Sequence, residues 1–307
     1  MSRPVDLGTA RLALDARAAL GECPLWSAAE GALYWVDIAG KAIHRFDPAT
    51  GLDRRWPMPA EPGCIALSSR GGLVAALRDG FHRFDPASAS LEKICDAPYD
   101  TREFRFNDGR CDASGRFWAG AMWEPRSAER ASMYCLDRGR LREGWGPAQG
   151  WGVKVSNGLA FSADGRTLWQ SDTPNHVIYT FDFDAASGTA SNRRVFAALP
   201  GTPGSPGYGG RPDGAALDRE GCYWSAQYEG GRVLRLSPEG KLVGILKVPA
   251  RRATMVAFGG PGHRTLFVTT ARQGCTPEDL AAHPASGGIF SFAAPVAGWP
   301  EPRYQEE

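Results

Sequence analysis

An all-β chain folded as a six-bladed β-propeller is what this sequence predicts, on three observations. Trp 10, Phe 14 and Tyr 8 accompany Gly 38 and Pro 23 along 307 residues, a composition that favours short strands and tight turns over helices. Six turns resemble one another, each a set of polar residues closing on a glycine, at Gly31, Gly71, Gly115, Gly165, Gly221 and Gly262. These glycines lie 40, 44, 50, 56 and 41 residues apart, matching the roughly 40 to 50 residues of a propeller blade.

Each blade can be traced through its turn. Aromatic or β-branched runs follow the glycines, as in Leu33-Tyr34-Trp35-Val36, Phe117-Trp118-Ala119, Tyr223-Trp224 and Leu266-Phe267-Val268, and read as second strands of hairpins. Third strands are visible in Ile43-His44-Arg45-Phe46, Phe81-His82-Arg83-Phe84, Val177 to Phe181 and Val233 to Leu236. The surplus of the longer units falls in Trp123 to Ala131 and in the Gly/Pro-rich Pro200 to Pro212, where a loop grows without breaking a sheet. Arg11 to Leu14 is expected to be the outer strand of the last blade, beside Ile289 to Phe292, which removes an open sheet edge. Residues 1–307 are therefore expected to form one domain. A β-sandwich also has evenly spaced strands, but six similar units favour the propeller over two Greek keys.

Lys and Arg total 35 against 34 Asp and Glu, a balance that gives no field for nucleic acid. No 18-residue apolar run offers a membrane span, and the first residues lack the apolar core of a signal peptide, so a cytoplasmic protein, monomeric or weakly homo-oligomeric, is expected. The 7 Cys are dispersed without a C-x-x-C pair and read as reduced thiols. No G-x-S-x-G, H-E-x-x-H, Walker or clear G-x-G-x-x-G motif is present. His44 and His82 each precede Arg-Phe-Asp-Pro, so they belong to the repeat framework.

Function is suggested by register. Eight residues before the turn glycines stand Gly63, Asn107, Asn157, Asp213 and Thr254, and nine before the first stands Glu22. In a propeller this is the start of the innermost strand, so these side chains converge on the central axis. Asn157-Gly158 and Asp213-Gly214, taken singly, are tight-turn dipeptides; the shared register and Glu22, which lacks a following glycine, argue for a site. Two crowded carboxylates are costly unless a cation neutralises them. Glu22, Asn157 and Asp213 are thus the candidate ligands of a divalent metal ion, their hard oxygens suiting Ca²⁺, Mg²⁺ or Mn²⁺ better than a structural zinc. Loops after the second strands, the segment Arg102 to Asp108 and the loop around Tyr208 should wall the pocket with polar and aromatic groups suited to a small polyhydroxylated ligand.

The stretches Leu20-Gly21-Glu22-Cys23-Pro24-Leu25-Trp26, Arg105-Phe106-Asn107-Asp108-Gly109-Arg110, Gly115 to Met122, Val155-Ser156-Asn157-Gly158-Leu159-Ala160 and Pro212-Asp213-Gly214, in this order, resemble the regucalcin/gluconolactonase family, which includes senescence marker protein 30 and sugar lactonases. The resemblance implies a six-bladed propeller with one divalent metal in its central channel, liganded by Glu22, Asn157 and Asp213. It implies substrate contacts from Arg105 and Asn107, and a general base at Asp213. The acidic sugar contact of the mammalian members falls near Glu124 and Pro125, a departure that makes Glu124 the candidate contact here.

The expected function is hydrolysis of a pentono- or hexonolactone to its aldonic acid in carbohydrate catabolism, with Ca²⁺, Mg²⁺, Mn²⁺, Zn²⁺ or Fe²⁺ as cofactor and a metal-bound hydroxide as the alternative to Asp213 as base. The competing expectations are a non-catalytic calcium-binding propeller and another metal-dependent esterase, such as a phosphotriesterase, on the same scaffold.

Overall fold

Six sheets, antiparallel apart from one added edge strand, form the computed structural model, which describes residues 3–306. Their innermost strands are Gly21–Ser27, Pro62–Leu67, Phe104–Cys111, Ser156–Phe161, Arg211–Leu217 and Ala253–Gly259, and define blades one to six in chain order. Each inner strand packs on the next and the sixth packs on the first, so the ring is closed. The molecule is an all-β six-bladed propeller. Among the described residues no helix is long and apolar enough to cross a membrane.

The blades are shaped by the hairpin turns seen in the repeat. In blade three, Asp112 Oδ1 accepts from Ser114 and Arg116 N–H while its Oδ2 accepts from Trp118 Nε1 at 2.9 Å. Asp218 does the same in blade five, bonding Glu220 and Cys222 N–H and Trp224 Nε1. One buried carboxylate thus fixes the turn and the large aromatic of the second strand, whose ring fills the space between blades. His44 is part of the same framework: it stacks on Trp35 at 3.9 Å and its Nδ1 lies 2.7 Å from Asp53.

The chain termini tie blades together. Arg11–Leu14 pairs antiparallel with Ile289–Ala293 at the outer edge of blade six. Just before it, Val5–Thr9 adds a fifth, parallel strand to blade five, against Leu242–Lys247, an addition that the repeat pattern did not reveal. At the other end the tail crosses the lower face, where Glu301 forms a buried ion pair with Arg110, and Tyr304 exchanges backbone bonds with Leu67 and Ser69.

A common irregularity shapes the channel. All six inner strands break register with their neighbours at the same height, between Glu22 and Leu25, Pro62 and Cys64, Phe106 and Gly109, Asn157 and Ala160, Pro212 and Ala215, and Ala253 and Val256. A bulge bends the strand and re-aims the side chains beside it, which turns this one level of the ring toward the axis. Backbone space there is tight. A Cβ on Gly63 would sit 2.5 Å from the Phe106 carbonyl, and Gly158 has φ +60 with Ser171 and Tyr223 hydroxyls 2.2 Å from where its Cβ would be.

Candidate functional site

At the upper mouth of the channel lies a pocket of about 540 Å³. Glu22, Asn107, Asn157 and Asp213 line it, four of the six register positions read from the repeat. Thr254 is used differently: its hydroxyl donates to Gly21 O at 2.5 Å and so joins blade six to blade one. Gly63 contributes no side chain.

The loops after all six second strands reach the pocket, through Ile38, Arg78, Glu124, Thr173, Tyr228 and Gln273, among others. Of the two other expected wall segments, one reaches the pocket in part and Tyr208 does not line it. Arg102 faces solvent in an ion pair with Asp100, so of Arg102 to Asp108 only Arg105 and Asn107 line the pocket. Tyr208 stands behind the wall and donates its hydroxyl to Glu229 at 2.7 Å.

Hydrogen bonds organise the floor across three blades. Arg105 Nη1 donates to Asn107 Oδ1 at 2.8 Å and to Phe106 O at 2.9 Å. Asn107 Nδ2 donates to Asn157 Oδ1 at 2.8 Å and to Ser156 O at 3.0 Å. Asn157 Nδ2 then donates to Thr173 Oγ1 at 2.8 Å, and that hydroxyl donates to Pro212 O, next to Asp213. Because each amide nitrogen has a fixed acceptor, both amide oxygens have a defined direction.

The carboxylates are poorly satisfied by comparison. Asp213 is 4% exposed and its Oδ1 is buried without a hydrogen-bond partner, while Glu22 accepts only a long bond from Cys23 N–H at 3.3 Å. A third buried carboxylate, Asp108, accepts from Leu159 N–H through Oδ2 and has an unpartnered Oδ1. Burial raises Glu22 and Asp213 well above the ordinary carboxylate range; repulsion from Asp213 and Asp108 adds to the effect at Glu22, and repulsion from Asp108 adds to it at Asp213. Burial likewise pushes Asp108 up to about 6.

Such a group has the chemistry of a cation site. Two carboxylates and the Asn157 amide oxygen form a hard-oxygen donor set, and the unpartnered Asp213 oxygen is the kind of atom that a divalent ion satisfies. Among the described residues there is no metal-binding arrangement of three His, Cys, Asp or Glu side chains; the donor set relies on the amide.

Glu124 lies at the pocket's upper wall, where Arg78 Nη2 donates to it at 2.7 Å and Arg78 Nε donates to Glu61 at 3.0 Å. Arg78 and Tyr228 belong to the wall loops expected after the second strands, whereas Glu61, Arg126 and Arg211 also line the pocket but were not among the candidates from the sequence. For two of them a signal existed. Strand side chains repeat every second residue, and the residues two before the register positions, Leu20, Glu61, Arg105, Val155 and Arg211, all line this pocket.

A second cavity, of about 240 Å³, lies on the lower face between Arg110, Phe161, Phe258 and the tail residues Trp299 to Pro302. It is walled mainly by apolar groups and contains none of the convergent polar residues of the upper pocket.

Comparison with known proteins gives a consistent result. Residues 20–272 match the family model described as the SMP-30/Gluconolactonase/LRE-like region. The chain is 44% identical over 290 residues to the 6-deoxy-6-sulfogluconolactonase of Pseudomonas putida, covering 93% of this chain and 94% of that one. It is 36% identical to the regucalcin of Oryctolagus cuniculus, over 89% and 90% of the two chains. Among solved structures, a calcium-binding regucalcin from Agrobacterium tumefaciens superposes with a TM-score of 0.89 at 27% identity, covering 98% of this chain and 99% of the other.

Proposed function

The chain belongs to the SMP-30/gluconolactonase family and is a lactone hydrolase of that type, and from that premise we propose that it opens an aldonolactone to the aldonic acid at the upper pocket, with Glu22, Asn157 and Asp213 holding a divalent cation. The observation that carries this reading is the Asp213 carboxylate, buried at the pocket floor beside Glu22 with one oxygen unpartnered. When bound, the ion supplies positive charge against which the carbonyl oxygen of the ester can become negative.

The remaining chemistry belongs to side chains. Water adds to the lactone carbonyl carbon and Asp213 accepts a proton from it; the ring C–O bond breaks and the departing ring oxygen takes up that proton as the new hydroxyl group. Arg105, fixed to Asn107 at 2.8 Å, donates to ring or hydroxyl oxygens of the sugar, and Asn107, whose two N–H groups are engaged in the floor, accepts from a sugar hydroxyl through Oδ1. Glu124, oriented by Arg78, accepts from a sugar hydroxyl at the upper wall. Polar side chains beside the Tyr228 ring and Met122 suit a compact polyol with one apolar face.

Asp213→Asn keeps the shape of the side chain but loses the base and a charged donor. Turnover of glucono-1,5-lactone should fall at least about a hundredfold while the variant keeps its circular dichroism spectrum and a cooperative melt. Turnover near that of the wild type would remove Asp213 from the mechanism.

A further inference from the structure

Charge in the upper pocket is unevenly neutralised. Four guanidinium groups line it, from Arg78, Arg105, Arg126 and Arg211. Arg78 bonds two carboxylates, Glu61 and Glu124, and Arg211 pairs with Glu229 at 3.0 Å. Arg105 is buried, and its hydrogen bonds go to the neutral acceptors Phe106 O, Asn107 Oδ1 and Met122 Sδ. The exposed Arg126 side chain has neither an ion pair nor a hydrogen bond with another described residue.

Arg126 is nevertheless on an anchored loop. It follows the second strand of blade three, Phe117–Trp123, with Glu124 N–H bonded to Glu103 O at 2.9 Å and Arg126 N–H bonded to Trp123 O at 3.0 Å. Arg126 itself holds φ +56, a conformation that costs energy in a non-glycine residue. The far end of the loop is pinned by Arg130, which lies over the Trp123 ring at 4.7 Å and pairs with Glu103 at 3.6 Å. Arg126 is close enough to Arg105 for its charge to be the second cause, after burial, that brings the Arg105 guanidinium down to about 10. The pocket therefore has a carboxylate floor and, on the blade-three side, two arginines without acidic partners.

We infer that Arg126, with Arg105 behind it, binds an oxyanion carried by the substrate at the end remote from the lactone carbonyl, so that the preferred substrates are sugar lactones bearing a sulfonate, phosphate or carboxylate group. The inference rests on the lactonase reading above. It follows from complementarity: a neutral sugar leaves Arg126 facing only water, whereas an acidic substituent gains a charge-assisted and, in a guanidinium, geometrically matched contact.

The test measures kcat and KM of the wild type, Arg126→Gln and Arg126→Lys on glucono-1,5-lactone and on its 6-sulfonate, 6-phosphate and 6-carboxylate analogues, with spontaneous hydrolysis subtracted. The wild type should favour at least one acidic lactone by about tenfold in kcat/KM, and which one identifies the anion. Arg126→Gln should reduce that preference about tenfold, through KM more than kcat, and Arg126→Lys should retain part of it. A wild type that prefers the neutral lactone, or a preference that Arg126→Gln leaves intact, overturns the inference while the lactonase reading stands. Silence of the wild type on all four lactones overturns both.

Discussion

Asn107 and Asn157, on the inner strands of adjacent blades, are joined by a 2.8 Å hydrogen bond from Nδ2 of the first to Oδ1 of the second. That bond links a residue held by Arg105 to a residue held by Thr173, so one chain of side chains sets the geometry of the whole floor.

Asn107→Ala breaks this chain in the middle. Arg105 Nη1 would lose a buried acceptor and Asn157 Oδ1 its donor, a loss of about 1 to 3 kcal/mol. Lactone turnover should fall at least about tenfold and the denaturant midpoint should drop; kcat/KM and a urea titration read the two effects separately.

The crowded carboxylates make an opposite prediction for stability. In metal-stripped protein, Asp213→Asn removes one of three buried acidic groups that repel one another. The stripped variant should melt above the stripped wild type, while the rise in Tm produced by added Ca²⁺ should shrink or vanish. Thermal melts with and without Ca²⁺ check this, and a stripped variant that melts lower would contradict the floor described here.

Asp172 provides a pH dependence away from the carboxylate floor. It is 1% exposed, accepts from Lys154 and Val155 N–H and Asn175 Nδ2, and is pushed up to about 6, chiefly by burial with a further contribution from Glu129, against the lowering effect of those N–H bonds and Lys154. Its folded pKa therefore lies above the unfolded one. Between the two the native state holds the extra proton, so this contribution to stability is full below about 4 and is lost as pH rises through about 6. The stability of the wild type relative to Asp172→Asn should decline over that window by on the order of 3 kcal/mol, as read from urea midpoints at pH 4, 5, 6 and 7.

The tail predicts a structural effect at the opposite face. Glu301 and Arg110 are 8% and 11% exposed in their side chains, and Arg110 also donates to Leu159 O and Ala215 O beneath the inner strands of blades four and five. Glu301→Ala leaves a buried guanidinium with only neutral acceptors. Unfolding free energy should drop by about 3 kcal/mol, with the urea midpoint lowered and the slope of the transition little changed.

The repeat was legible because each blade uses the same physical device, a polar turn closing on glycine followed by a buried aromatic strand. Counting from those glycines located Glu22, Asn107, Asn157 and Asp213, all of which line one pocket. The bulges were not legible: a break in register is a backbone event, and nothing in Asn107-Asp108-Gly109 separates it from a turn. Glu61 and Arg211 needed only the two-residue period of a strand. Arg126 could not have been found so, since its place depends on loop contacts of Glu124 and Arg130. Val5–Thr9 was hidden because it pairs as an outer edge strand with almost no buried face, and Trp299-Pro300-Glu301-Pro302 because it seals the lower face without forming a strand.

The most direct test of the central claim is acid release from a panel of pentono- and hexonolactones, neutral and acidic, by chelator-stripped protein to which Ca²⁺, Mg²⁺, Mn²⁺, Zn²⁺ and Fe²⁺ are returned one at a time. Hydrolysis that disappears on stripping, returns with a divalent ion in the wild type and does not return in Asp213→Asn is the predicted result. No hydrolysis of any lactone by wild-type protein whose Tm shows the ion to be bound would contradict it, and would leave a propeller that binds ions without catalysis.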